Sequence, residues 1–401
     1  MDHPSEAILI INAGSSSIKF SLFNSAVTGG MSADKLICSG QIAGLGVLPR
    51  FEAQQGSVST QSALTEKTTH AEGIAFILDW LQQHQADQTI VAAGHRIVHG
   101  GVRHWEPIVI DENVMAELRR LIPLAPLHQP HNIAAVDVVG QRYPQLPQIA
   151  CFDTAFHHTN PLKATTFAIP RSLTEEGVRR YGFHGLSYEY INSVMPQYLG
   201  TELAAGRVVV AHLGAGASMC AMYQGKSIAS TMGFTVLDGL MMNRRCGTID
   251  PGVLLYLLQE KEMDASTVAK LLYNDSGLKG VSGISEDMKI LLASNEPNAA
   301  EAIDLYIYRI GRELGSLVAA MGGLDALIVT AGIGEHAAVI RRKIAESASW
   351  LGVQIDTRMN AAATNTEPVC LSPQGAKVPF WMIPTDEDLM IAQHTQRLLL
   401  K

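Results

Sequence analysis

The stretch 7–23, AILIINAGSSSIKFSLF, sets the pattern from which the fold can be predicted. Residues 7–11 form a short apolar run typical of a buried strand, residues 12–17 are small and polar, and residues 18–23 form a second, alternating run. The same order recurs about 200 residues later, where the apolar run 208–213 precedes a small-residue turn at 214–218 and another strand-like segment at 219–223. Two matching strand–turn–strand segments predict a duplicated fold.

Helix and strand patterns alternate around these two segments. Residues 71–85, 113–121 and 299–321 are predicted helices, and residues 90–94 and 148–152 are predicted short strands. A third strand at 326–330 leads into a glycine turn at 331–335, and residues 385–400 are predicted to form a closing helix. This order is typical of an α/β fold. The repeat predicts an N-terminal domain at 1–150, completed by the closing helix 385–401, and a C-terminal domain at 151–384.

Composition excludes several classes of protein. The chain has 401 residues, of which 47% are hydrophobic and 17% charged, so it is not disordered. A net charge of −8 without a long basic cluster argues against a nucleic-acid partner. No aliphatic run approaches the roughly 20 residues of a membrane helix, and the start Met1–Pro4 lacks basic residues, so we expect no membrane partner and a cytoplasmic protein. The five cysteines form no C-x-x-C pair and are predicted to be reduced thiols.

Three turns rich in small residues follow buried strands, at 12–17, 214–218 and 331–335. Such turns leave backbone N–H groups open to phosphate oxygens, so three of them in one chain favour a nucleotide site. The usual phosphate motifs are absent. Position 220 is Cys where a P-loop would need its first glycine, and position 219 is Met where the dinucleotide fingerprint would need its third.

Short polar clusters lie on several predicted loops. These segments include GHRIVHGG at 94–101, PLH at 126–128, FDT at 152–154, RRYGFHG at 179–185 and NRRCGTIDP at 243–251. Arginine next to glycine can bring a planar bidentate donor close to a carboxylate or a phosphate. Each residue taken alone could instead cap a helix or lie on a solvated face, and His99, His157 and His158 are interpreted as structural.

In these segments the chain resembles the acetate, propionate and butyrate kinase family, which belongs to the actin, sugar-kinase and heat-shock-chaperone superfamily. The resemblance extends from about residue 8 to about residue 395. It rests on INAGSSSIKF at 11–20, GHRIVHGG at 94–101, FDTAFH at 152–157, RRYGFHG at 179–185, RCGTIDP at 245–251, GIGE at 332–335 and PTDE at 384–387.

The resemblance implies two duplicated actin-like (ribonuclease H-like) domains with an interdomain cleft. It also implies an enzyme that transfers the γ-phosphoryl group of ATP directly and reversibly to acetate, giving acetyl phosphate and ADP. Mg²⁺ is the implied cofactor, and a homodimer is the implied assembly. Two alternatives remain open: a propionate or butyrate kinase of the same family, and an actin-like ATP-binding module without carboxylate chemistry.

The family's site residues carry over by position. The implied catalytic residues are Arg96, Asp153, His184 and Arg245. The implied substrate-binding residues are Arg96, Val98, Leu127, His128, Phe183 and Val236. The implied nucleotide-binding residues are Lys19, His212, Leu213, Gly214, Ala215, Gly216, Asp287, Met288, Lys289, Gly332, Ile333, Gly334, Glu335 and His336. Asn12 and Glu387 are the implied Mg²⁺ ligands.

Elementary chemistry questions one family role, that of Asp153 as a proton donor or acceptor. A carboxylate substrate with a pKa of about 4 to 5 is already ionised at neutral pH and needs no general base. We therefore expect Asp153 to orient a metal-bound water or an arginine.

Some positions depart from the family pattern, mostly on the nucleotide side. These positions are Ala215 and Ala229, Lys289 and His336, and Val236 in the acyl pocket. Loss of one neutral hydrogen bond costs about 0.5–1.5 kcal/mol, so we expect weaker but intact ATP binding. ATP remains the preferred donor over pyrophosphate.

Overall fold

The computed structural model describes residues 5–25 and 30–400, so the start Met1–Pro4 lies outside the described residues. The chain forms two compact units. Unit 1 is the chain up to Ala155 together with the residues from Asp386 onward, and unit 2 is Phe156–Thr385. In the described ranges, no helix is long and apolar enough to cross a membrane.

Each unit is built on one sheet. The strands of unit 1 are β1 (Ser5–Ala13), β2 (Ser17–Asn24), β3 (Leu36–Ala43), β4 (Arg50–Gln55), β5 (Val58–Ala63), β6 (Gln88–Ile97), β7 (Ile108–Val109) and β8 (Gln148–Phe152). The strands of unit 2 are β9 (Arg207–Leu213), β10 (Ala217–Tyr223), β11 (Lys226–Ser230), β12 (Ala326–Thr330), β13 (Val369–Cys370) and β14 (Phe380–Met382).

The helices surround these sheets. Unit 1 contains α1 (His70–His84), α2 (Glu112–Arg120) and α3 (Gln129–Arg142). Unit 2 contains α4 (Leu162–Thr165), α5 (Arg171–Glu175), α6 (Gly185–Leu199), α7 (Thr201–Ala204), α8 (Pro251–Gln259), α9 (Ala265–Asn274), α10 (Gly277–Ser282), α11 (Met288–Ala293), α12 (Pro297–Met321), α13 (Ala331–His336), α14 (Ala338–Ser347) and α15 (Thr357–Ala362). The last helix, α16 (Glu387–Leu399), belongs to unit 1.

The two sheets share one strand order. In unit 1 the neighbours are β3-β2-β1-β6-β8, with β1 antiparallel to β2 and parallel to β6. In unit 2 the neighbours are β11-β10-β9-β12-β14, and β9 is likewise antiparallel to β10 and parallel to β12. The same five-strand arrangement therefore occurs twice, which confirms the α/β class and the duplication expected from the two hairpins.

Both faces of β1 are buried in unit 1. Leu9 and Ile11 pack into a core that includes Trp80 of α1. On the opposite face, α16 lies close to the sheet at Gly94 of β6, where a Cβ would come within 2.4 Å of the Thr395 hydroxyl oxygen. The absence of a side chain at Gly94 lets α16 pack closely on this face of the sheet, and α16 belongs to unit 1 along its whole length.

The prediction of a glycine turn at 331–335 is wrong, because these residues form a helix. β12 ends at Thr330, and the helix α13 begins at the next residue, Ala331. A Glu335 carboxylate oxygen accepts a hydrogen bond from the Ala331 backbone N–H at 2.7 Å. This bond satisfies an N–H group at the start of the helix, and Ala331 itself turns the chain with a left-handed φ of 65°.

Candidate active site

The hairpin β1–β2 places two predicted site residues opposite each other. Asn12 and Lys19 are direct cross-strand neighbours. The turn between the strands is held from outside, because the Asn132 side-chain amide donates to the Ala13 carbonyl at 2.7 Å and the His70 ring lies 2.8 Å from the Gly14 carbonyl. The first small-residue turn is therefore fixed by side chains of α3 and α1.

Arg96 and Asp153 form a buried ion pair in unit 1. Arg96 lies near the end of β6 and Asp153 directly follows β8, and these strands are parallel neighbours, so their ends meet at one edge of the sheet. The Arg96 Nε donates to Asp153 Oδ1 at 3.0 Å, and its Nη2 contacts the other carboxylate oxygen. Arg96 Nη1 also donates to the Asn12 side-chain oxygen at 3.2 Å. The two side chains are 14% and 1% exposed, respectively.

Acidic residues at the start of α16 strengthen this charge arrangement. Burial alone would lower the pKa of Arg96, but attraction to Asp153, Glu387 and Asp388 outweighs it, and the pKa is raised. Burial raises the pKa of Asp388, whose carboxylate accepts a hydrogen bond from the Ser21 hydroxyl at 2.6 Å. Arg96 therefore remains a cation, and it lies close to several acidic side chains.

The segment after Arg96 is held by three buried side chains. Asn132 accepts from the Val98 N–H at 2.9 Å, Gln129 accepts from the His99 N–H at 3.2 Å, and Thr154 accepts from the Gly100 N–H at 3.0 Å. Val98 is buried, and Leu127 is 39% exposed with the half-buried His128 beside it. His99 is fully buried and its Nδ1 accepts from the backbone of Gly101, in agreement with a structural histidine.

Unit 2 brings two histidines together at the second small-residue turn. His184 precedes α6 in a left-handed conformation with φ 58°, which is uncommon for a residue with a side chain. Its ring stacks on that of His212, with centroids 4.1 Å apart. A Cβ at Gly216 would lie 3.2 Å from His184 Nε2 and 3.4 Å from Arg245 Nη2. Gly216 therefore places backbone without a side chain next to the His184 ring and the Arg245 guanidinium group.

Arg245 is positioned by the irregular segment that carries it. Its Nη1 donates to the Val236 carbonyl at 2.8 Å. Gly247, with φ 73°, has no space for a Cβ because the carbonyl oxygens of Gly239 and Leu240 would lie 2.5 Å away. Phe183 and Val236, two predicted acyl-pocket residues, are both buried in this unit.

The predicted adenosine residues lie on two helices of unit 2. Asp287 caps α11 by accepting from the Lys289 N–H at 2.8 Å, and Met288 is buried while Lys289 is exposed. Gly332, Ile333, Gly334 and His336 lie in α13. A Cβ at Gly332 would meet no atom within 4 Å. Glu335 also supports the fold, because its carboxylate accepts from the backbone N–H groups of both Ala331 and Thr385.

Several supporting residues were missed by the sequence reasoning. Asn132 and Gln129 hold the backbone after Arg96. Ser187, Tyr188 and Ser218 surround His184 and His212 in unit 2. The spacing His184, Ser187, Tyr188 is a helical i, i+3, i+4 pattern and could have indicated three polar side chains on one face of α6. In the described residues, no group of three or more His, Cys, Asp or Glu side chains forms a metal site.

The repeated strand order and the polar clusters at the strand ends define a protein of the duplicated actin-like class. The model of the acetokinase family matches residues 7–393. A relative named acetate kinase from Rhodopseudomonas palustris is 55% identical over 396 residues, covering 98% of each chain. Another of that name, from Methylocella silvestris, is 46% identical with the same coverage. The chain belongs to the acetokinase family.

Solved structures of the family agree in fold over almost the whole chain. A propionate kinase from Francisella tularensis matches with a TM-score of 0.88 and 34% identity, covering 98% of this chain and 99% of its own. An acetate kinase from Porphyromonas gingivalis matches with a TM-score of 0.86 and 32% identity, covering 98% of this chain and 100% of its own.

Proposed function

We propose that this protein is an acetate kinase that transfers the γ-phosphoryl group of ATP to acetate and also catalyses the reverse reaction. The observation that carries the proposal is the convergence of His184 Nε2 and Arg245 Nη2 on the side-chain-free position of Gly216. Phosphoryl transfer needs charge stabilisation and in-line placement more than covalent help, and two such donors supply it. Relatives at 55% and 46% identity that are named acetate kinase support the same conclusion.

Arg96 is the proposed binding group for the acetate carboxylate. N–H groups on two edges of its guanidinium group donate to Asp153 and Asn12, which fixes the plane of the side chain. Asp153 therefore orients an arginine and is not needed to deprotonate an already ionised acid.

Mg²⁺ is the proposed cofactor, with Asn12 and Glu387 as its protein ligands. An amide oxygen and a carboxylate are the hard oxygen ligands that Mg²⁺ takes when it keeps waters and phosphate oxygens in its other positions. The negative charge at the start of α16 fits a cation there. When bound, Mg²⁺ would neutralise part of the charge of the ATP phosphates.

The proposed nucleotide contacts are Lys19, the turn 212–216, residues 287–289 and α13. The side-chain-free position at Gly332 supports an open place for a planar base. The proposed contacts of the acetate methyl group are Val98, Leu127, Phe183 and Val236, with His128 as a polar neighbour. Propionate kinase is the alternative, because a solved relative of that name shares the fold.

A hydroxamate assay for acyl phosphate tests these proposals directly. The purified chain is incubated with acetate, propionate or butyrate and with ATP or pyrophosphate, each with and without Mg²⁺. We expect the highest kcat/KM with acetate, ATP and Mg²⁺. ATP hydrolysis that no short carboxylate stimulates would favour the actin-like module instead.

We also propose that the protein is a homodimer. None of the residues of α8 is buried, although its sequence is PGVLLYLLQ, and Leu255 and Tyr256 are 55% and 50% exposed. An apolar surface of this kind marks an interaction site. Sedimentation velocity should show a dimer that Leu255→Glu converts to a monomer. A monomeric wild-type protein would contradict the proposal.

A further inference from the structure

His184 and His212 are held by a pair of crossed contacts between a helix and a hairpin of unit 2. His184, Ser187 and Tyr188 share one face of α6 and its first turn, because they are spaced i, i+3 and i+4. His212 and Ser218 are direct cross-strand partners in β9 and β10. Each histidine contacts a serine of the other element, and the two rings stack within 13° of parallel.

Both contacts use the Nδ1 atom of the ring. His184 Nδ1 lies 2.8 Å from the Ser218 hydroxyl, and His212 Nδ1 lies 2.8 Å from the Ser187 hydroxyl. Ser218 has a further partner, the Tyr188 hydroxyl, at 2.5 Å. Ser218 and Tyr188 are both fully buried, so each hydroxyl bonds to protein groups and not to bulk water.

The acidity of the groups determines which way the protons point. A phenol, with a pKa near 10, is a much better donor than an aliphatic hydroxyl, so the Tyr188 O–H donates to the Ser218 oxygen. The single Ser218 proton is then directed to His184 Nδ1, which accepts it. A neutral imidazole that accepts at Nδ1 carries its proton on Nε2, the atom beside Gly216.

We propose that Ser218 and Tyr188 are positioning residues that keep His184 in the neutral Nε2–H tautomer, so that it donates a hydrogen bond towards the Gly214–Gly216 turn. The inference rests on the proposed function, in which this N–H meets the transferred phosphoryl group. A donor fixed in this way is in place before the transition state forms and needs no reorganisation.

The tautomer can be measured by NMR on the full-length protein labelled with ¹⁵N-histidine, at a pH above the ordinary titration range of histidine. Signals of His184 are identified by their loss in His184→Gln. We expect wild-type His184 to have a bare Nδ1 and a protonated Nε2. In Tyr188→Phe the Ser218 proton can turn away, so the signals should move towards a mixture of tautomers. Loss of this ordering should lower kcat about tenfold and leave the KM for acetate and for ATP within about twofold.

Tyr306→Phe is the matched control. Tyr306 is also a fully buried tyrosine of unit 2, but its hydroxyl contacts no hydrogen-bond partner in the described structure. This variant should keep the wild-type His184 spectrum and kcat. Ser218→Ala should change the spectrum in the same direction as Tyr188→Phe, and Tyr188→Phe decides the matter alone if Ser218→Ala does not fold.

Either of two results would overturn the inference: a proton on Nδ1 of wild-type His184, or a Tyr188→Phe protein with the wild-type tautomer and kcat. The spectra require no turnover. A wild-type protein that makes no acetyl phosphate would therefore overturn the proposed function separately from the tautomer.

Discussion

The same hairpin position carries different chemistry in the two units. In unit 1 the cross-strand pair at the turn is Asn12 and Lys19, and in unit 2 it is His212 and Ser218. Around the first pair the polar groups are held by a buried ion pair, Arg96 with Asp153. Around the second, the contacts are neutral hydroxyl and carbonyl groups.

The same backbone arrangement therefore supports its polar groups by two kinds of contact, and the two kinds respond differently to substitution. A buried ion pair is strongly destabilised when only one partner is removed, because the remaining charge is uncompensated. A neutral hydrogen bond loses about 1 kcal/mol in the same test. Substitutions in unit 1 should therefore affect folding and activity together, and those in unit 2 mainly activity.

The largest effect is expected from Asp153→Ala. Arg96 would remain charged and largely buried, so the free energy of unfolding should fall by about 3–5 kcal/mol, and acyl phosphate formation should nearly cease. Urea denaturation and the hydroxamate assay measure the two effects. The matched variant is the double replacement Arg96→Met with Asp153→Leu, which should recover much of the stability but none of the activity. Equal instability of the single and double variants would contradict the ionic interpretation.

Arg245→Ala should separate activity from stability. One contact of its guanidinium group in unit 2 is the neutral Val236 carbonyl, and the side chain is only half-buried. We expect kcat to fall about 100- to 1,000-fold, as for the loss of one transition-state donor, with the unfolding midpoint unchanged. A loss of stability as large as that of Asp153→Ala would contradict the predicted difference between unit 1 and unit 2.

Acid should destabilise the fold through its buried histidines. Burial lowers the pKa of His95 and His99 in unit 1 and of His157 in unit 2 to about 4. Since the unfolded value is about 6.5, the unfolded chain binds more protons between these limits, and stability present above pH 6.5 is lost as the pH falls towards 4. Each histidine should cost about 2 kcal/mol at pH 5.

His99→Asn isolates one of these contributions. An asparagine oxygen can accept from the Gly101 N–H in place of Nδ1, and it does not titrate in this range. The difference in unfolding free energy between pH 7 and pH 5 should be smaller in this variant than in the wild type. An unchanged difference would show that His99 does not contribute to acid sensitivity.

The smallest effect is expected from Ala215→Asn. Ala215 is exposed in the turn between β9 and β10, where an amide could add one hydrogen bond to a phosphate oxygen. The KM for ATP should fall about two- to tenfold, equivalent to about 0.5–1.5 kcal/mol, and the KM for acetate should not change. Initial-rate kinetics with each substrate varied in turn would measure it, and an unchanged KM for ATP would remove Ala215 from the phosphate contacts.

Local patterns predicted part of the strands and helices, those in which burial on one or both faces leaves a clear periodicity. The two hairpins, the helix α12 and the closing helix were all predicted close to their observed bounds. The segment 331–335 was misassigned because its glycines suggested a turn, whereas a contact from Glu335 to the Ala331 backbone starts a helix.

Long-range support of the site could not be predicted in the same way. Asn132 binds the backbone of Ala13, 119 residues away, and nothing in its local sequence marks that partner. The pairing of Arg96 with Asp153 likewise depends on β6 and β8 being neighbours in the sheet. Family resemblance located the charged residues, and only the fold revealed what holds them.

The close approach of α16 at Gly94 has a consequence for synthesis on the ribosome. Unit 1 is made of two separate segments of the chain, and Glu387 and Asp388 lie in the second segment, which is translated after unit 2. The strands of the first sheet can pair early, but the carboxylates of Glu387 and Asp388 join unit 1 only after unit 2 has been translated. A polypeptide that ends before Asp386 therefore lacks these carboxylates, including that of the proposed Mg²⁺ ligand Glu387.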